Sequence, residues 1–141
     1  MANNKHWEHF EHGADIGVRG YGPSMAEAFE QVACALTSVI AEIHQVLPTQ
    51  AIRITCSAPD AELLLADWLN ALIYEMATRH MLFSRFEVTM ADHSLRALVW
   101  GEPVDTSRHH PAVEIKGATY TALAVTHDAH AGWCAQCVVD V

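Results

Sequence analysis

Trp133-Cys134-Ala135-Gln136-Cys137-Val138-Val139-Asp140-Val141 closes the chain, and its alternation decides how the rest is read. Side chains of a strand point to opposite faces in turn. Trp133, Ala135, Cys137, Val139 and Val141 therefore share one face, and Cys134, Gln136, Val138 and Asp140 the other. A second carboxylate sits near the opposite end, in His12-Gly13-Ala14-Asp15-Ile16-Gly17. Asp and Gly are enriched in turns and depleted in strands, so Asp15 followed by Ile16, Val18 and Tyr21 marks a turn entering a strand. If the terminal strand lies beside this first hairpin, the two carboxylates meet in one oxygen-rich corner. The plainer alternative is a solvated turn residue and a solvated strand end, and two carboxylates alone are a weak pattern.

Between these ends the breaks fall where an α+β domain would turn. Residues 7–11 and 16–21 read as two short strands. Pro23 sets a turn, and Ser24 with Glu27 three positions on forms a capping box. Phe29, Val32, Leu36, Val39 and Ile40 then recur at the three- and four-residue spacing of a buried helical stripe. Ile52, Ile54 and Cys56 alternate with Arg53, Thr55 and Ser57 as a half-buried strand. Asp60 caps a second helix with an apolar face of Leu65, Trp68, Leu69, Leu72, Ile73 and Met76. Phe86, Val88 and Met90 alternate with Arg85, Glu87 and Thr89, and a turn at Asp92-His93 leads into a strand over residues 95–101, which completes a hairpin. Two more strands are expected over residues 113–126 and 133–141, separated by a polar turn at 127–132. Two amphipathic helices against one face of a largely antiparallel sheet is the economical packing.

At 141 residues, half of them apolar, the chain is expected to be one domain covering residues 1–141, large enough to form a core without staples. No apolar stretch approaches the roughly 20 residues of a membrane span. The first eight residues lack a basic start and an apolar signal core. A cytoplasmic protein with reduced cysteines is expected. The formal net charge is −9 with ten histidines uncounted. That acidity argues against strong autonomous binding of nucleic acid, whose affinity comes from Lys and Arg neutralising phosphates. It suits a cation or a basic protein partner instead.

Several constellations invite a chemical reading. Cys134 and Cys137 have redox or zinc spacing, but on a strand residues three apart point to opposite faces, so these thiols should diverge. His6, His9 and His12 would share a helical face; on a strand His9 separates from the other two. His109 and His110 lie in a polar segment, Asp105 onward, that suits a partner-contacting loop or an ordinary one. A phosphate-cradling glycine loop, a Ser-His-Asp order and a HExxH helix are all missing from the sequence.

The run His9-Phe10-Glu11-His12-Gly13-Ala14-Asp15-Ile16-Gly17-Val18-Arg19-Gly20-Tyr21-Gly22, the helix after Ser24, residues 69–86, Val113-Glu114-Ile115-Lys116-Gly117-Ala118-Thr119-Tyr120 and the closing Val138-Val139-Asp140-Val141 together resemble the archease family, in order and over nearly the whole chain. Archeases are small metal-binding accessory proteins of the RNA-splicing ligase RtcB, which joins a 3′-phosphate or 2′,3′-cyclic phosphate end to a 5′-hydroxyl. The resemblance implies a non-catalytic activator that promotes guanylylation and repeated turnover of that ligase. It places the metal ligands on the carboxylates of Asp15 and Asp140 and on the main-chain carbonyl of Val141, with Lys116 and Tyr120 in a motif that would shape the site or an interface. Such oxygen donors suit Ca²⁺ first, with Mg²⁺ or Mn²⁺ as alternatives, and select poorly for Zn²⁺. Three groups do not fill the six to eight positions Ca²⁺ prefers, so waters or partner groups would complete the shell. With Val141 last in the sequence, the third ligand is expected to be a terminal carboxylate. A chaperone-like or general interaction module is the alternative from another class. A small metal-dependent hydrolase using His12 with the two Asp residues is a third.

Overall fold

The computed structural model of the chain describes residues 5–141. The leading residues 1–4, part of the stretch read for a targeting signal, lie outside the described residues. Strands β1 (His6–His12) and β2 (Asp15–Gly22) form the expected hairpin, joined by Gly13 and Ala14, with Gly13 at φ 61. A two-residue hairpin with glycine taking positive φ at its first central position matches the twist of the flanking strands.

Helix α1 (Met25–Ile40) begins where the capping box places it: Ser24 Oγ accepts the Glu27 N–H at 3.1 Å and donates to the Glu27 carboxylate at 2.8 Å. Its stripe of Phe29, Val32 and Leu36 is fully buried. Gly20 of β2 permits the close approach, because a Cβ there would sit 2.2 Å from the Val32 backbone nitrogen. Helix α2 (Ala61–Arg79) starts at Asp60, whose carboxylate accepts the Leu63 N–H at 2.8 Å. Trp68, fully buried at its centre, donates its indole N–H to the Phe29 carbonyl at 3.0 Å, so the two helices are tied by a satisfied polar contact inside the core.

Strands β3 (Gln50–Ser57), β4 (Met81–Ala91) and β5 (Ser94–Pro103) make an antiparallel sheet in the order β3-β5-β4. The β4–β5 turn holds Asp92 at φ 55, and β4 bulges between Phe83 and Arg85. Thr37 of α1 donates to the Phe83 carbonyl there at 2.7 Å. Helix α3 (Thr106–His109) is one turn within the segment read as a loop. Strands β6 (Gly117–Ala118) and β7 (Ala124–Asp128) follow, and β8 (Gly132–Asp140) closes the fold.

The α+β class with antiparallel pairing is as read, with two differences. There are two sheets rather than one: β3-β5-β4 is separate, and β8 lies beside the first hairpin, giving β1-β2-β8-β6 with β7 also on β8. Helices α1 and α2 each touch both sheets, and one core cluster draws its buried residues from these two helices and from both sheets. The strand expected over residues 113–126 is also replaced. His110 at φ 48 turns the chain before it and Ala122 at φ 54 turns it within, and of residues 110–116 only Ile115 is buried. The turn between Tyr120 and Leu123 splits the stretch into two short strands, β6 and β7, which pair with separate parts of β8.

Candidate metal centre

Ladder register places the sequence-predicted carboxylates together. Ile16 pairs with Val139, and the next step along the same antiparallel ladder sets Asp15 across from Asp140. On the far sides, His12 pairs with Asp15 and Gly117 pairs with Asp140. One row thus crosses four strands. Val18, Cys137 and Val139 fill the core face, so alternation turns Asp15 and Asp140 to the opposite, outer face. Adjacent cross-strand residues stand about 4.5–5.5 Å apart at Cα, within reach of a shared cation.

Asp140 is exposed and Asp15 partly so. Among the described residues neither side chain has an ion-pair or hydrogen-bond partner. Two like charges directly opposite on a sheet repel, by about 1 kcal/mol in water-like surroundings and about 3 kcal/mol nearer the protein surface. A hard cation between them removes that repulsion. The donor set therefore fits a divalent ion with oxygen ligands. Val141 packs against the core by its side chain, leaving main-chain oxygen as its only donor. Lys116 donates its backbone N–H to the Asp140 carbonyl at 2.7 Å, and Asn70 of α2 accepts the Ala118 N–H at 2.9 Å, which anchors β6 beside the row. Tyr120 lies beyond β6 on an exposed turn, its carbonyl accepting the Leu123 N–H. His12 shares the row, but among the described residues no three His, Cys, Asp or Glu side chains converge as a metal cluster. The candidate donors at this row are therefore the two carboxylates, with main-chain oxygen beside them.

The other constellations resolve into structure. All four cysteines are free. Cys137 points into the core opposite Val18 and donates to the Thr119 carbonyl, whereas Cys134 lies on the outer face opposite Tyr21. Burial pushes Cys34, Cys56 and Cys137 up to about 11, and Cys134 upward as well, which keeps them as thiols at neutral pH. His9 separates from His6 and His12 as the strand pattern requires, its Nε2 meeting the Ala35 carbonyl at 2.8 Å. A carbonyl only accepts, so that nitrogen carries the proton.

His109 is not a surface loop residue. It is 3% exposed, its Nδ1 accepts the Asp105 N–H at 2.9 Å and its Nε2 donates to Glu102 at 2.9 Å. Glu102, 7% exposed, also takes hydrogen bonds from Arg108 at 2.7 Å and the Leu47 N–H at 2.7 Å. The Arg108 hydrogen bond, with those from Leu47 and His109, holds its carboxyl down to about 2. Sequence reading passed over this group. Its one local signal was Asp105 ahead of Ser107 and Arg108, a cap pattern for one helical turn.

No helix among the described residues is long and apolar enough to cross a membrane. Residues 7–141 match the model of the Archease protein family (MTH1598/TM1083). The chain is 38% identical to the protein archease of Pyrococcus abyssi, covering 97% of this chain and 99% of that one. It is 34% identical to that of Methanosarcina mazei over 99% of both. The solution structure of Methanobacterium thermoautotrophicum protein 1598 superposes with a TM-score of 0.83 at 27% identity, over 96% of this chain and 98% of that one. A crystal structure from Thermotoga maritima, described as an archease and possible chaperone, shares the fold at a TM-score of 0.58 and 18% identity, over 94% of each chain. The hairpin, the two capped helices and the returning terminal strand are thus those of a known group, and the chain belongs to the archease family.

Proposed function

We propose that this protein is a metal-binding accessory factor that activates an RtcB-type RNA-splicing ligase in tRNA splicing or RNA repair. The observation that carries the reading is the row joining Asp15 to Asp140, two carboxylates on adjacent strands with no side-chain partner among the described residues. Asp15, Asp140 and the main-chain oxygen of Val141 hold a divalent cation, Ca²⁺ first and Mg²⁺ or Mn²⁺ as alternatives. The bound cation supplies positive charge at an otherwise acidic tip and leaves coordination positions open to groups of a partner. Lys116 and Asn70 keep the β6 edge of the tip in place. Coupling to the ligase is limited to the difference in affinity for its two states, with the guanylylation-competent arrangement favoured by docking of the tip.

The test is ligase guanylylation and multiple turnover at fixed divalent metal, with the accessory protein substoichiometric. Wild type raises both, and folded Asp140→Ala loses most of the effect. An Asp140→Ala protein that activates like wild type removes the metal tip from the mechanism.

A chaperone-like interaction module is the second reading. It is favoured by a groove of about 430 Å³ walled by Ile40, Ile73, Met76, Val104 and Val113, and by the description of the Thermotoga relative. Suppressing aggregation of unrelated clients with no effect on the ligase would select it.

A further inference from the structure

The sequence holds no basic stripe, yet the fold assembles one. Six of the eight basic residues are arginines. Among the described residues Arg19, Arg79, Arg85 and Arg108 each engage a carboxylate. Arg53 and Arg96 engage none. Both are exposed on the outer face of the β3-β5-β4 sheet, to which Arg85 also belongs.

Register gives their spacing. On that face Trp100 stands between Ala51 and Arg85, Leu98 between Arg53 and Glu87, and Arg96 between Thr55 and Thr89. The three arginines therefore occupy successive rows, about 7 Å apart along the strands. The two threonines flank Arg96 with exposed hydroxyls, and a cleft of about 230 Å³ runs over Leu98 between Arg53 and Arg96. Within these three rows the single acid is Glu87, bonded to Arg85 at 3.2 Å with both side chains more than half exposed. Such a pair is worth little and exchanges readily for another anion. The Arg85 guanidinium stacks on Trp100, 4.6 Å from the ring centroid, and leaves a planar cation on top.

We propose that this face binds single-stranded RNA through its phosphates. Nucleic-acid surfaces are polar and rich in arginine, and aromatic rings and guanidinium planes on a sheet take unstacked bases. A protein partner would favour an apolar anchor pocket, and the cleft is smaller than such sites and has Arg53 and Arg96 in its lining against one acid, Glu87. Three phosphate contacts within a chain of net charge −9 make the binding weak and dependent on salt. The inference goes beyond activation through the metal tip: the accessory protein itself touches RNA, on a sheet separate from the carboxylate row.

The experiment uses the full chain without ligase, so its result is independent of activation. A fluorescein-labelled uridine 12-mer is titrated by anisotropy, with amide chemical shifts followed in parallel. Binding is expected to weaken about 20-fold between 50 and 200 mM salt, the slope for three contacts on a single strand. Shifts should concentrate at residues 51–57, 85–89 and 96–100. Arg53→Gln with Arg96→Gln should weaken binding at least 10-fold with the amide spectrum otherwise retained, and Arg79→Gln, an exposed arginine of α2, should change it less than 2-fold. The proposal is overturned if Arg79→Gln matters as much, if the shifts fall elsewhere, if no binding is seen at 50 mM salt, or if a polyglutamate peptide of equal charge binds as well as the RNA, which would make the face a site for acidic proteins.

Discussion

Glu102 and the Asp15–Asp140 pair are acids at the ends of different sheets, and they show opposite treatments of the same chemistry. Glu102 is buried and takes hydrogen bonds from Arg108, His109 and the Leu47 backbone, which pins the segment after the first helix to the end of β5. Asp15 and Asp140 face solvent, opposed and without donors among the described residues. A carboxylate satisfied by its own chain has no capacity left for a ligand. One left beside another like itself is destabilised until something positive arrives. The contrast separates an acid that holds the fold from acids available for binding.

The largest test of that contrast is removal. Glu102→Ala strands Arg108 and the Leu47 N–H and should lower unfolding free energy by about 3 kcal/mol in urea. Asp15→Ala and Asp140→Ala, with divalent ions chelated, should lose no more than about 0.5 kcal/mol relative to wild type. A comparable loss in Asp140→Ala would make the outer row structural. Acid should separate the regions next. The Glu102 carboxyl is held at about 2 against an ordinary 4.5. Its contribution is therefore complete above about pH 4.5 and disappears as pH falls toward 2, so Glu102→Gln should flatten the stability profile in that window. If acid unfolding of wild type and Glu102→Gln followed the same curve, the buried network would not be its cause.

Calcium should act in the opposite sense. At ten times its dissociation constant it should stabilise wild type and Glu102→Gln alike by about 1.4 kcal/mol, read as a rise in Tm. Asp15→Ala and Asp140→Ala should show almost none of it. Equal stabilisation of all four proteins would place the ion elsewhere. The smallest effect is relief of repulsion. Asp140→Asn in chelator should gain up to about 1 kcal/mol, and a loss instead would show that the carboxylate already has a partner.

What could be read from the sequence was whatever local patterns determine. Ser24 with Glu27, and Asp60 ahead of Leu65 and Trp68, specify helix starts by capping and periodicity. The alternation after Trp133 gave both the buried face and the divergence of Cys134 from Cys137. Partition into two sheets was not local, because it depends on β8 placing one edge against β2 rather than against β4 or β5. Residues 113–126 have strand composition, and nothing within them shows that β8 leaves room for only short pieces on its far edge. Glu102 between Gly101 and Pro103 carries no local sign of burial; its donors come from Leu47 on one side and Arg108 and His109 on the other. The carboxylate pair was legible as a possibility that hinged on strand adjacency, and the β2–β8 ladder supplies that adjacency.

That ladder has a kinetic consequence. Ile16 and Val139 are more than a hundred positions apart in the chain, yet they sit side by side. Closing so long a loop is slow, and contacts of this kind lie behind the sluggish folding of non-local topologies. No fragment containing only the hairpin or only the last strand can set Asp15 against Asp140. The proposed ligand set thus comes into being with completed folding, and a partner that recognises it engages matured copies and passes over half-formed ones.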